Sequence, residues 1–161
     1  MISSTLKPLS PHTMIRAFTL STLAAPAIVY AQNAQFGTAA EARAMLDRAA
    51  VSMKADPAKT IAQINKGEGG FRDRDLYVFC LANGKVVAHG GFPERVGLLQ
   101  KDLRDAVGKP YGEEFARVAE EGEVAEVSYT LPRPGPDKTP AQKISFVTKV
   151  ADHVCGVGYY K

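Results

Sequence analysis

The chain has 161 residues, with 20 Lys+Arg against 17 Asp+Glu, 45% hydrophobic residues, two cysteines and no tryptophan. That length holds one domain with a proper core and not comfortably two. No block of Lys or Arg stands out and the net charge is small, so nucleic-acid binding has no electrostatic basis.

At the N-terminus, Met14-Ile15-Arg16 makes a short basic start, and Ala17 to Val29 follows as an apolar run. Val29-Tyr30-Ala31 then places small residues at the −3 and −1 positions before Gln32, the pattern of a leader-peptide cleavage site. A run this short does not comfortably cross about 30 Å of hydrocarbon. Residues 1–31 therefore read as a signal peptide, with Met14 a candidate start. Residues 32–37 read as a short linker and 38–161 as one exported domain, periplasmic or secreted. Nothing later approaches eighteen consecutive apolar residues, so no membrane span is expected once the leader is removed. The leader carries Lys7 and Arg16 and no acids, so 18 basic residues face 17 acidic ones beyond it.

Thr38-Ala39-Ala40-Glu41 has the form of a capping box, and opens a helix whose apolar stripe is Ala42, Met45, Leu46, Ala49 and Met53. Asp56-Pro57 restarts a second helical piece, as N-cap and first helical residue. Ile61 and Ile64 give it an apolar face before Gly67-Glu68-Gly69-Gly70. Leu76 to Gly90 reads as a β-hairpin turned at Asn83-Gly84, a dipeptide suited to two successive positive-φ residues. Its second strand ends in Ala88-His89-Gly90-Gly91, one imidazole and two glycines at the lip of a sheet.

Pro93 to Gly108 shows no clear period and is expected to form turns. Pro110 to Glu121 reads as a helix with Phe115, Val118 and Ala119 inward, stopped by Gly122. Val124 to Leu131, Gln142 to Val150 and His153 to Tyr160 read as strands. The proline-rich stretch 132–136 between the first two is a loop. The expectation is an α+β domain: a five-stranded antiparallel sheet, helices on one side, and a helix-containing crossover. No internal repeat is visible.

Cys80 and Cys155 fall in predicted strands. An oxidising compartment permits a disulfide if those strands are neighbours; the alternative is two buried thiols. Neither cysteine lies in a C-x-x-C and no acid or His cluster accompanies them. Redox catalysis and zinc binding therefore lack support.

Several local sequences occur in order: Asp75-Leu76-Tyr77-Val78-Phe79, Asn83-Gly84-Lys85, Ala88-His89, Val96-Gly97 and Asp105-Ala106-Val107-Gly108-Lys109-Pro110. Tyr129, Pro140, Lys143-Ile144-Ser145-Phe146-Val147 and Gly156-Val157-Gly158-Tyr159 follow. With the order helix, hairpin, crossover, meander, they resemble a PAS-like sensor domain, specifically the single Cache domain of type 2. The resemblance covers about residues 38 to 160. It implies an extracytoplasmic sensing module that binds small organic molecules, often short carboxylates. Such domains usually belong to chemoreceptors of chemotaxis and to sensor kinases. With no apolar helix after Tyr160, the chain resembles a free-standing exported member, whose signal would pass to a separate membrane receptor or histidine kinase.

A site for a small organic anion needs a fixed cation, neutral donors and an apolar wall. Lys143 and Arg95 are the candidate cations, because charge-assisted hydrogen bonds to a carboxylate are the strong ones. Ser145, Tyr129 and His89 are the candidate donors, and Tyr77 and Phe79 share a strand face that suits a wall. The competing structural roles are a solvated strand lysine, an Arg95 paired with Glu94 or Asp102, and a His89 that caps backbone. Gly156 and Gly158 read as permitting close packing. No Gly-x-Ser-x-Gly, H-E-x-x-H or phosphate loop occurs, and no enzymatic activity, cofactor or metal is expected. The alternative function is a non-enzymatic interaction protein whose pocket is filled by side chains.

Overall fold

The computed structural model describes Met1 and residues 35–161. Apart from Met1, the expected signal peptide lies outside the described residues, as do linker residues 32–34. Among the described residues, no helix is long and apolar enough to cross a membrane.

The capping box forms as expected. The Glu41 N–H donates to Thr38 Oγ1 at 3.2 Å, and the Thr38 N–H donates to the Glu41 carboxylate at 2.7 Å. Helix α1 (Ala39–Ala55) buries the predicted stripe. Helix α2 (Pro57–Lys66) starts on Asp56, whose carboxylate accepts from the Lys59 N–H, and ends on Gly67 at φ 71°.

The sheet has six strands rather than five: β1 (Arg72–Asp73), β2 (Leu76–Ala82), β3 (Lys85–His89), β4 (Ala125–Pro132), β5 (Pro140–Val150) and β6 (His153–Tyr160). The extra strand β1 is two residues long, too short to carry a period. The strand order is β1-β2-β6-β5-β4, with β3 paired to β2, and all these pairings are antiparallel. Asn83 and Gly84 turn the hairpin at φ 51° and 71°.

Helices lie on both faces, not one. Helices α1 and α2 cover the face carrying Leu76, Val78, Cys80, Cys155 and Val157. The opposite face carries Phe79, Leu81, Val127, Tyr129 and Val147, and is covered by residues 90–110 and helix α3 (Tyr111–Val118). The two alternating residue sets of β2 are both apolar, so each face needs a lid.

Helix α3 is shorter than predicted. Glu120 leaves the helix because its carbonyl accepts from the Lys149 N–H at 3.2 Å and from Thr148 Oγ1 at 3.2 Å, so pairing with β5 overrides helical propensity. The crossover contains two 3-10 turns, Pro93–Arg95 and Gln100–Asp102. It is pinned to the hairpin by Val86 N–H to Leu98 O and Gly97 N–H to Val86 O. Asp105 staples its far end: its carboxylate accepts from the N–H groups of Val107, Lys109 and Thr130. Burial works to raise the Asp105 pKa, but those N–H groups, with the Lys109 charge, hold it below the usual range.

Cys80 and Cys155 are bonded. They sit directly opposite each other in register on β2 and β6, fully buried on the α1 face. The bond closes 75 residues of chain. In the chain-entropy account such a closure stabilises by about 4 kcal/mol, and removal of native disulfides typically costs about 2–5 kcal/mol. Denaturant unfolding with and without reductant should show a loss in that range; a loss under about 1 kcal/mol would contradict it.

Candidate functional site

Tyr77 and Phe79 occupy alternate positions of β2 and face the crossover, as the pleat requires. Two glycines clear the space their rings fill. A Cβ on Gly91 would sit 2.4 Å from the Tyr77 ring, and one on Gly156 would sit 2.5 Å from Phe79 Cζ. At the hairpin lip the glycines supply clearance rather than an unusual backbone conformation: neither Gly90 nor Gly91 has positive φ.

These rings line a cavity of about 20 Å³, closed by Arg95 and Leu103 from the crossover and by Tyr111 and Phe115 from α3. That volume holds about one water molecule. Tyr111 stacks on Tyr129 at a centroid distance of 4.5 Å, and Phe79 stacks on Phe115 at 4.9 Å. Five of the seven residues expected from sequence line the cavity: Tyr77, Phe79, His89, Arg95 and Tyr129. Lys143 and Ser145 do not line it. They stand one layer behind, in β5, and hold the hydroxyls of residues that do.

Lys143 is fully buried. Its chain runs over Gly158, where a Cβ would sit 2.2 Å from Lys143 Cε. Its ammonium donates to the Tyr77 hydroxyl at 2.6 Å and to the Tyr160 hydroxyl at 3.4 Å. It also lies over both rings, 3.9 Å and 4.5 Å from their centroids. The Tyr160 hydroxyl donates onward to the Pro132 carbonyl at 2.7 Å. Burial drives the Lys143 pKa well below its ordinary value; Asp75 opposes this and Arg95 adds to it. Ser145 shares a 2.8 Å hydrogen bond with the Tyr129 hydroxyl. Burial raises the pKa of both Tyr77 and Tyr129, so both hydroxyls stay protonated.

His89 is held from two directions. Its N–H donates to Asn65 Oδ1 at 2.9 Å, and its Nδ1 accepts from the Phe92 N–H at 3.0 Å. The second bond fixes the tautomer that carries its proton on Nε2. Burial first, then the charges of Arg95 and Lys143, push the His89 pKa down to about 3. Arg95 is half-buried, lies over the Phe92 ring and donates to the Tyr111 hydroxyl. The pairing with Glu94 or Asp102 does not form. Among the described residues, neither Arg95 nor Lys143 has a carboxylate within ion-pair distance, and no acid lines the cavity.

Tyr111 was missed from sequence, although the Tyr111/Phe115 spacing of four residues marks one helix face directly after Pro110. Leu81, Val86, Leu103 and Leu131 complete the wall. No group of three or more His, Cys, Asp or Glu able to hold a metal occurs among the described residues. Chemically, the arrangement offers positive charge and neutral donors behind and beside an aromatic chamber. It offers no nucleophile next to a base.

The depressed His89 pKa fixes a pH dependence. Above the unfolded value of 6.5 the ring is neutral in both states and costs nothing. As pH falls from 6.5 toward 3, the unfolded chain takes a proton that the native ring refuses, so stability is lost across that window. His89→Asn, whose amide oxygen can still accept from Phe92, should flatten stability between those pH values. An unchanged slope in acid would show that His89 is not the group.

The sequence matches the family Single Cache domain 2 over residues 44–160. No curated protein matches the chain. Solved structures share the fold, among them three sensor proteins. A methyl-accepting chemotaxis protein from Vibrio parahaemolyticus RIMD 2210633 is 18% identical with a TM-score of 0.61, over 75% of this chain and 86% of that one. A periplasmic sensor domain of a chemotaxis protein is 23% identical, TM-score 0.55, over 73% and 86%. A Cache chemosensory domain described for its carboxylic acid recognition is 18% identical, TM-score 0.55, over 73% and 84%. The chain therefore belongs to the Single Cache domain 2 family.

Proposed function

We propose that this domain is an extracytoplasmic sensor that binds a small organic anion, most simply a short carboxylate, between the sheet and its crossover. The observation that carries the reading is the electrostatic state of the chamber. Arg95 lines it and Lys143 stands directly behind it, neither with a carboxylate within ion-pair distance among the described residues, and a buried positive charge so placed is costly. An anionic guest supplies the missing partner, and charge-assisted hydrogen bonds to a carboxylate are among the strong ones. Arg95, the His89 Nε2–H and the Tyr77 and Tyr129 hydroxyls are the groups placed to meet its oxygens. Phe79, Phe115 and Leu103 suit a short alkyl remainder. The carboxylic acid recognition described for one structural neighbour agrees with this guest class.

Signalling follows by population shift. At about 20 Å³ the cavity as it stands is too small for a carboxylate. Binding must therefore select an arrangement in which the crossover or α3 has moved, and that difference is the signal. The leader-like N-terminus and the disulfide fit an exported protein. A separate membrane receptor or histidine kinase is the partner that would read the change. The small cavity also favours one other reading, an interaction protein whose pocket is filled by side chains.

A thermal-shift screen of acetate, propionate, lactate, pyruvate and related acids separates the two. At roughly 100 times its Kd, a guest stabilises by about 2.7 kcal/mol, a rise of several degrees in Tm. Lys143→Met removes the charge and keeps the stem. It should abolish the rise while leaving the empty protein as stable as before or more so, since an uncompensated buried charge is lost. No shift across the panel, or a full shift in Lys143→Met, would move the interaction-protein reading ahead.

A further inference from the structure

We infer that the hydrogen bond between Arg95 and Tyr111 is the gate through which a guest reaches the chamber. The cavity has a neighbouring hollow on this side of the molecule. That neighbour is an open groove on the outer surface of about 330 Å³, lined in part by Glu94, Asp102 and Arg104. The two hollows share three wall residues: Arg95, Leu103 and Tyr111. These three separate the inside from the outside at this point.

They are not equally fixed. The Leu103 carbonyl accepts from the Gly112 N–H at 3.3 Å, and a Cβ on Gly112 would sit 2.8 Å from Leu103 Cβ and 2.3 Å from the Gln100 carbonyl. Backbone packing therefore seats Leu103. Tyr111 is seated by its N–H to the Lys109 carbonyl and by its stack on Tyr129, which leaves the Arg95 side chain, whose Nη1 donates to the Tyr111 hydroxyl, as the movable part of the wall. A rotation of the arginine opens that bond without moving a strand or a helix.

The open state has a place ready. Glu94 and Asp102 line the outer groove and make no ion pair with Arg95 in the closed state. Either carboxylate can receive the guanidinium when it swings out, so opening exchanges a hydrogen bond to a phenol for an ion pair. Swinging back, Arg95 can accept a carboxylate that has entered, which makes the gate also the seal. The neighbouring turn is held to the hairpin by backbone bonds at Val86, Gly97 and Leu98, so the movement stays local.

The gate matters to function only if the cavity is the guest chamber, as proposed above, but access is measurable with no guest present. Val86 lines the cavity and not the groove. Val86→Cys puts a thiol on the inner wall, and its rate of reaction with methyl methanethiosulfonate, a small neutral reagent, reads access from outside. Adding Tyr111→Phe removes the hydroxyl and keeps the ring. Labelling should then be about five- to tenfold faster, the factor by which one such bond favours the closed form. Arg95→Gln, which breaks the same bond from the other side, should match it. Leu131→Cys, on another part of the inner wall, replaces Val86→Cys if that variant is unstable.

Hydrogen exchange across β4, β5 and β6 should be unchanged in the fast-labelling variants. Equal labelling rates with and without Tyr111→Phe and Arg95→Gln would overturn the gate, and so would faster labelling with general loss of protection in those strands. If labelling accelerates as expected but no carboxylate binds, the gate stands and the proposed guest falls.

Discussion

A fully buried lysine with no carboxylate within ion-pair distance among the described residues sits inside this domain, and much of the sheet face under the crossover is arranged around it. Lys143 can lie flat across β6 only because Gly158 has no side chain, and it reaches Tyr77 on β2 by that route. Tyr160 takes a second bond and passes it to Pro132, which ties the end of β4 to the same group. An apolar residue at 143 would pack here at lower electrostatic cost. A buried lysine held by two phenols, with no carboxylate at ion-pair distance among the described residues, is what the proposed anionic guest would complement. The same positive field, added to burial, keeps His89 neutral, and its bond from Phe92 turns its one proton to Nε2.

The two faces of the sheet divide the work. On one, α1 lays its Ala-Met-Leu stripe over the Cys80–Cys155 bond, a closed and covalently fastened core. On the other, aromatic rings meet a cover made of 3-10 turns and a helix of eight residues. That cover is fastened by backbone bonds at the hairpin and by Asp105 at its far end. Between those anchors, Arg95 meets the Tyr111 hydroxyl side chain to side chain. On the function proposed above, the fastened face would give a guest something firm to bind and the cover something to bias.

Helix starts, the hairpin turn and the strand alternation were legible because each is written locally: Thr38 with Glu41, Asp56 with Pro57, Asn83 with Gly84, and the faces of β2 and β5. The end of α3 was not, because Glu120 leaves the helix to bond β5, a partner distant in sequence. Nor was β1, which is too short to have a period. In the site, the need for a cation, neutral donors and an apolar wall selected Arg95, His89, Tyr129, Tyr77 and Phe79, and all five line the cavity. Lys143 and Ser145 were selected by the same reasoning but stand behind it, since only the glycines of β6 reveal that the lysine lies across its neighbour strand. Tyr111 was overlooked because a tyrosine at a helix start carries no signal of its own until the crossover is placed beside it.

The most direct test is a crystal structure of the protein grown with saturating propionate. The account predicts density for the acid inside the Tyr77–Tyr111–Tyr129 chamber. Its carboxylate should lie within hydrogen-bond distance of Arg95 or of the tyrosine that Lys143 holds, with the crossover displaced to make room. A chamber still packed with side chains, and the acid absent or bound only at the surface, would contradict it.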